Sequence, residues 1–149
     1  MSVAPIVDPF VGTWQLNVEK SRFDAHHHPR GGTMVFERDV AGGYVMKAEG
    51  IAEDGRAVAE RPQYFILDGR PHPLADFPQL VALATRPTPN ALHGEVRRQD
   101  GSLVGAGDYI VSDDGRSMTA TATGIDAQLR QFHVTTVWDR APRDERPSM

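Results

Sequence analysis

Four Asp-Gly pairs, Asp54-Gly55, Asp68-Gly69, Asp100-Gly101 and Asp114-Gly115, cut this 149-residue chain into short segments. Asp-Gly suits tight hairpin turns because both central residues take positive φ at low cost. Gly42-Gly43 and Gly124-Ile125-Asp126-Ala127 read as two further turns. Between them the spacing predicts strands at about Gly12–Asn17, Thr33–Asp39, Tyr44–Ile51, Ala57–Leu67, Leu80–Arg86, Ala91–Arg98, Leu103–Val111, Ser117–Thr123 and Leu129–Asp139. Alternation is cleanest in Ser117–Thr123, with Ser117, Thr119, Thr121 and Thr123 on one face and Met118, Ala120 and Ala122 on the other. No long stretch carries apolar residues at helical spacing. The best helical candidate is a short turn within Leu74–Val81, limited by Pro73 and Pro78.

Frequent turns between short alternating strands define an antiparallel meander, and a closed meander has no exposed edges. The expected fold is therefore all-β, an antiparallel up-and-down barrel of roughly eight to ten strands with little helix. The length fits one domain over residues 1–149. An N-terminal arm (1–9), a lid in the first loop (18–32) and a charged, Pro-bearing tail (141–149) flank or interrupt it.

Composition narrows the function classes. Net charge is −4 and Lys20 and Lys47 are the only lysines, so a basic groove for nucleic acid is not expected. There is no cysteine, which excludes disulfides, Cys-based zinc sites and thiol nucleophiles. No apolar run approaches the ~20 residues of a membrane helix. The first nine residues lack the charge and apolar pattern of a signal peptide, making the cytoplasm the expected compartment. No Gly-rich phosphate loop, Gly-x-Ser-x-Gly elbow or His-Glu-x-x-His pair is present, and no cofactor is expected.

Several residues carry both a functional and a plain structural reading. Trp14, in Gly12-Thr13-Trp14, is either a stacking floor for a ligand or a plug closing the barrel, and the plug is favoured. Gly12 would let the strand bend there. The run His26-His27-His28 invites a metal, but adjacent residues of a strand point to opposite sides, so a flexible loop and no metal site is expected. His133 shares a face with Leu129, Gln131, Thr135 and Val137, opposite Phe132, Val134 and Trp138. It enters the lumen if that aromatic face packs outward, and is otherwise a surface imidazole. His93 alternates with Glu95 and Arg97, on a face that is either solvent or a charged lumen. Asp108 and Tyr109 pose the same question, and Tyr64 and Tyr109 offer phenolic donors.

The segment Asp8-Pro9-Phe10-Val11-Gly12-Thr13-Trp14-Gln15-Leu16-Asn17, followed by Lys20-Ser21, resembles the opening of a group of uncharacterised bacterial lipocalin-like proteins of the calycin type. The similarity continues weakly through Asp68–Pro73, Val104-Gly105 and Asp114–Thr119, with His72 where an aromatic hydroxyl is usual. The resemblance implies a small barrel with an internal pocket and no agreed reaction. It also implies that an Arg after the last strand, Arg140 or the nearby Arg143, packs across Trp14.

The first functional expectation is a lumen that binds a small apolar or amphipathic molecule, with Tyr64, Arg97, Tyr109 and His133 as polar anchors. The alternatives are a cofactor-free isomerase, cyclase or hydratase using His133 or His93 as general base, and a protein-interaction module. A monomer or homodimer fits each.

Overall fold

The computed structural model describes residues 8–24, 28–40, 42–60, 62–74, 77–125 and 128–141, and every regular element among them is a strand. In chain order these are β1 (Gly12–Arg22), β2 (Gly31–Arg38), β3 (Tyr44–Ile51), β4 (Ala57–Ala59), β5 (Gln63–Phe65) and β6 (His72–Pro73). They continue with β7 (Leu80–Thr88), β8 (Ala91–Arg98), β9 (Leu103–Val111), β10 (Ser117–Ile125) and β11 (Gln131–Arg140). All pair antiparallel in one sheet of order β4-β3-β2-β1-β11-β10-β9-β8-β7-β6, with β5 also on β3. Among the described residues no helix is long and apolar enough to cross a membrane.

The sheet curls into an up-and-down barrel. No ladder joins β5 to β7; instead the Gly69 N–H donates to the Ala84 carbonyl at 3.0 Å, and the Phe65 ring reaches across to Gly94 on β8. The wall thus has a seam, closed by a turn and by side chains.

The four Asp-Gly pairs do make the turns, by a chemistry different from the expected one. Only the glycines take positive φ, from 70° to 91°. Each Asp instead accepts the N–H two residues on through its Oδ1, at 2.8–3.0 Å from Arg56, Arg70, Ser102 and Arg116. The carboxylate holds the turn and glycine supplies the left-handed residue that ends it.

Two departures from the expected strands bear on the site. The segment expected as one strand, Ala57–Leu67, splits into β4 and β5 although both pair with β3. Residue numbers of opposed pairs sum to 108 along β4 and to 109 along β5, so one extra residue is accommodated between them. That is a β-bulge, placed where Pro62 lacks a ladder N–H. Residues 18–22, expected in the first-loop lid, belong to β1. Its pairing with β11 shifts between Asn17 and Arg22. Ser21 bridges the irregularity: its hydroxyl donates to the Asn17 carbonyl (2.7 Å) and accepts the Val137 N–H (2.9 Å). Asn17 accepts the Lys20 N–H and donates to Asp139. The Asn-x-x-Lys-Ser pattern is therefore a bulge device. Within Leu74–Val81 the chain makes turns and no helix among the described residues.

Register and burial assign the faces. Phe10, Trp14, Phe36, Tyr44, Leu92, Val111 and Met118 are fully buried and gather at one end of the barrel. From them the inward parity runs through Met46 and Ala48 on β3, Gly94 and Val96 on β8, Tyr109 and Gly107 on β9, Ala120 and Ala122 on β10, and Val134 and Thr136 on β11. Packing is aromatic at the closed end, and Gly and Ala are frequent above it.

Candidate functional site

The closed end is built by the Gly-Thr-Trp segment. The Trp14 indole N–H donates to the Phe10 carbonyl at 3.0 Å, and the Arg140 guanidinium lies 4.2 Å over the indole ring. That guanidinium donates to the carbonyls of Pro9 (2.6 Å), Val11 (2.8 Å) and Gly115 (2.7 Å). Gly12 is required here twice over. Its φ is 137°, and a Cβ would sit 2.6 Å from Arg140 Nη1. Trp14, at 0% exposure, is a plug and offers no surface to a ligand.

A polar network drawn from three strands backs the plug. Asp8 Oδ1 accepts the Phe10 N–H, while Oδ2 accepts the Tyr44 hydroxyl at 2.6 Å and Arg38 at 2.8 Å. The Tyr44 oxygen in turn accepts Arg86 Nη1 at 3.0 Å, tying β3 to β7 across the seam. Burial pushes the Asp8 carboxyl up, but the bonds from Tyr44, Phe10, Arg38 and Val11 outweigh it and hold the pKa below 3.8. Burial and the Asp8 charge push Tyr44 to about 12.

Above the plug, Tyr109 stands edge-on to Phe36 and Phe65, with ring centroids 5.9 and 5.6 Å away. Its hydroxyl lies beside Gly107, up the lumen. Burial first, and the charge of Glu60 second, push its pKa to about 12. Glu60 is thus within electrostatic reach of the phenol although the two come from opposite walls. The β4 register explains it: the Glu60 N–H donates to the Ala48 carbonyl at 2.9 Å, continuing the ladder that opposes Val58 to Gly50. Glu60 therefore shares the inward side of Ala48. The side chain is exposed to water at this sheet edge, and partial desolvation raises its carboxyl pKa. Gln63, opposite Met46, faces the same way.

The anchors expected from sequence separate on this map. Tyr109 faces the lumen. Tyr64, opposite Val45, is 62% exposed on the outer face. Arg97 and His93 lie on the outer face of β8, opposite in parity to the buried Leu92. His133 is exposed on β11, opposite in parity to the buried Trp138, because Phe132 and Val134 take the inward positions. Neither candidate general base reaches the lumen, since the aromatic face of β11 packs inward. Of the triple His, His26 and His27 lie outside the described residues and His28 is exposed. Sequence reasoning missed Asp8, Tyr44, Arg86, Glu60 and Gln63. For Glu60 a signal was available: Pro62 inside a strand-like run marks a bulge or an edge.

The outer face of β8 and β9 holds a charge chain. His93 Nδ1 meets Asp108 Oδ1 and Nε2 meets Glu95 Oε2, both at 2.8 Å, and Glu95 pairs with Arg97 at 2.6 Å. The bonds to Glu95 and Asp108 raise the His93 pKa above 6.5. A raised histidine pKa adds stability that is fully present below the unfolded value and lost as pH rises through the folded one. His93→Gln should remove a low-pH increment of at most about 1 kcal/mol in denaturant unfolding, the scale of exposed pairs. Its imidazole NMR titration should lie above 6.5 in the folded protein. On the outside of β2–β4, a shallow groove of about 320 Å³ crosses Thr33, Glu49 and Ala59, where Gly32 and Gly50 bare the backbone. It shows none of the polar convergence seen around Glu60 and Tyr109.

No protein-family model matches the chain, and no curated protein matches it. Solved structures do share its fold. The wild-type fluorescent protein UnaG aligns with a TM-score of 0.57 at 13% identity, covering 91% of this chain and 100% of that one. A zebrafish ileal bile acid-binding protein in complex with cholic acid aligns at 0.52 and 9% identity, covering 89% and 99%. The extracellular fatty acid binding protein As-p18 aligns at 0.50 and 13%, covering 90% and 97%. The shared feature is the fold, an antiparallel β-barrel.

Proposed function

We propose that this chain binds a small apolar or amphipathic molecule inside its barrel. One observation carries the reading: inward-facing residues above the Phe36–Phe65–Tyr109 layer stay half-buried instead of closing against one another. Ala48, Gly94, Val96, Gly107, Ala122 and Val134 all behave so. An inward wall that water still reaches encloses unfilled space, and an apolar wall gains by exchanging that water for an apolar ligand. Val58, 45% exposed, takes an inward position toward the open end and gives the mouth an apolar residue. The fatty acid and bile acid named in two of the solved neighbours are molecules of this class, which supports the reading. Tyr109 is the proposed ligand contact among the residues singled out from sequence.

The test is titration with the neutral dye N-phenyl-1-naphthylamine. Wild type should bind one equivalent. Ala122→Trp puts an indole over Gly107, and should weaken binding at least about 10-fold by filling space that a ligand of this size needs. Circular dichroism reports whether that variant is folded, and Ala122→Phe serves if it is not. His133→Ala, on the outer face, should leave the affinity unchanged. Absence of dye binding to wild type, or full affinity in a folded Ala122→Trp, overturns the proposal.

A further inference from the structure

The polar groups that face this lumen have the wrong charge for a carboxylate ligand. Glu60 makes no side-chain hydrogen bond or ion pair among the described residues, and neither Gln63 nor the Tyr109 hydroxyl does. All three take inward positions at mid-height, from two opposed walls. Glu60 is exposed to water and unpaired among the described residues, so its carboxylate is open to accept a charge-assisted hydrogen bond from a cationic or hydrogen-donating guest.

The cations at the closed end are already committed. Arg38 is spent on Asp8, Arg86 on Tyr44 and the Pro89 carbonyl, and Arg140 on three carbonyls behind Trp14. All three stand at the closed end, beneath the Phe36–Phe65 layer. Toward the mouth, Arg98 bonds Ser102. His72 shares the side of Ala82, and its imidazole meets Asp68 at 3.0 Å. Among the described residues no uncommitted Lys or Arg faces the middle of the lumen. A fatty acid or bile acid would set its carboxylate beside Glu60 with no cation to offset the repulsion.

Resting on the lumen-binding reading above, we propose that Glu60, with Gln63 and the Tyr109 hydroxyl, is the polar anchor and that the ligand is an amphiphile with an amine head. The ammonium donates to the Glu60 carboxylate, and the Gln63 and Tyr109 oxygens accept its remaining N–H groups. The tail lies along the Ala and Gly wall. The bulge between β4 and β5 makes the site: the ladder of β4 carries Glu60 to the inward side at Ala48, and the extra residue lets β5 still turn Gln63 and Phe65 inward.

Displacement of bound N-phenyl-1-naphthylamine by a matched pair, dodecylamine and dodecanoate, at neutral pH and below their aggregation limits tests the assignment. Dodecylamine should displace the dye at a concentration about 10-fold or more below dodecanoate, the scale of one charge-assisted hydrogen bond. Glu60→Gln should bring that ratio to near one while dye affinity stays at the wild-type value. Glu49→Gln, an outer carboxylate on β3, should leave the ratio unchanged and so separates the site from net charge. Equal or tighter displacement by dodecanoate on wild type, or an unchanged ratio in Glu60→Gln, overturns the anchor while lumen binding stands. Failure of the dye itself to bind wild type overturns both.

Discussion

Trp14→Ala should lower stability by about 3–5 kcal/mol, the range for truncating a fully buried tryptophan. The melting temperature should fall by about 6–20 °C at the roughly 2–4 °C per kcal/mol expected for a domain of this size. The loss has separable parts. Truncation leaves a cavity among Phe10, Met34 and Met118, removes the donor to the Phe10 carbonyl, and strips Arg140 of the ring beneath it. A double-mutant cycle with Arg140→Ala isolates the last part. The coupling should be about 0.5–2 kcal/mol, because a half-buried guanidinium over an indole is worth that much. Arg140→Ala also abandons three carbonyls, so its own cost exceeds the coupling. Additive single variants would mean that the stacking contributes nothing.

Asp8→Ala should be the most damaging change at a partly exposed position, at about 2–4 kcal/mol from lost hydrogen bonds to an ionised acceptor. The side chain is only 14% exposed, so solvent screens it little. Removing it leaves the Tyr44 hydroxyl and the Phe10 N–H without their acceptor. The pH dependence follows from the depressed pKa. A carboxyl held below 3.8 contributes stability that is present above 3.8 and is lost as pH falls through its folded value. Wild type should therefore lose stability on acidification, and Asp8→Ala should show a shallower loss, read from urea unfolding between pH 5 and about 2.5. Parallel curves would remove Asp8 from the acid transition. Tyr44→Phe in the Asp8→Ala background should cost less than in wild type, since the two share one bond.

The barrel was legible because its determinants are local. An Asp-Gly turn is settled within four residues, and strands such as Ser117–Ile125 announce themselves by alternation. The role of Trp14 was legible for the same reason, since Gly12, Phe10 and Trp14 are neighbours in sequence. Which face of each strand looks inward was not. Alternation has two equivalent phases, and only pairing with a strand of known parity chooses between them. His93, Glu95 and Arg97 read equally as a charged lumen or a wet exterior until Leu92 is found fully buried on the other side. Glu60 was hidden by a further step: Tyr109, whose phenol feels its charge, lies on the opposite wall, and its direction depends on a bulge that only pairing reveals.

The strand that leads into Glu60 is also among the least secured. β4 is laddered to β3 alone, and its other edge faces the seam, whereas β9, β10, β11 and β1 are each held on both sides. Local opening free energies follow such differences, so β4 belongs to the part of the wall that breathes first. A guest gripped there binds only the closed form and shifts that opening equilibrium by mass action. Retention of a ligand and rigidity of this one edge are then a single linked quantity: whatever loosens β4 shortens the residence of what the barrel holds.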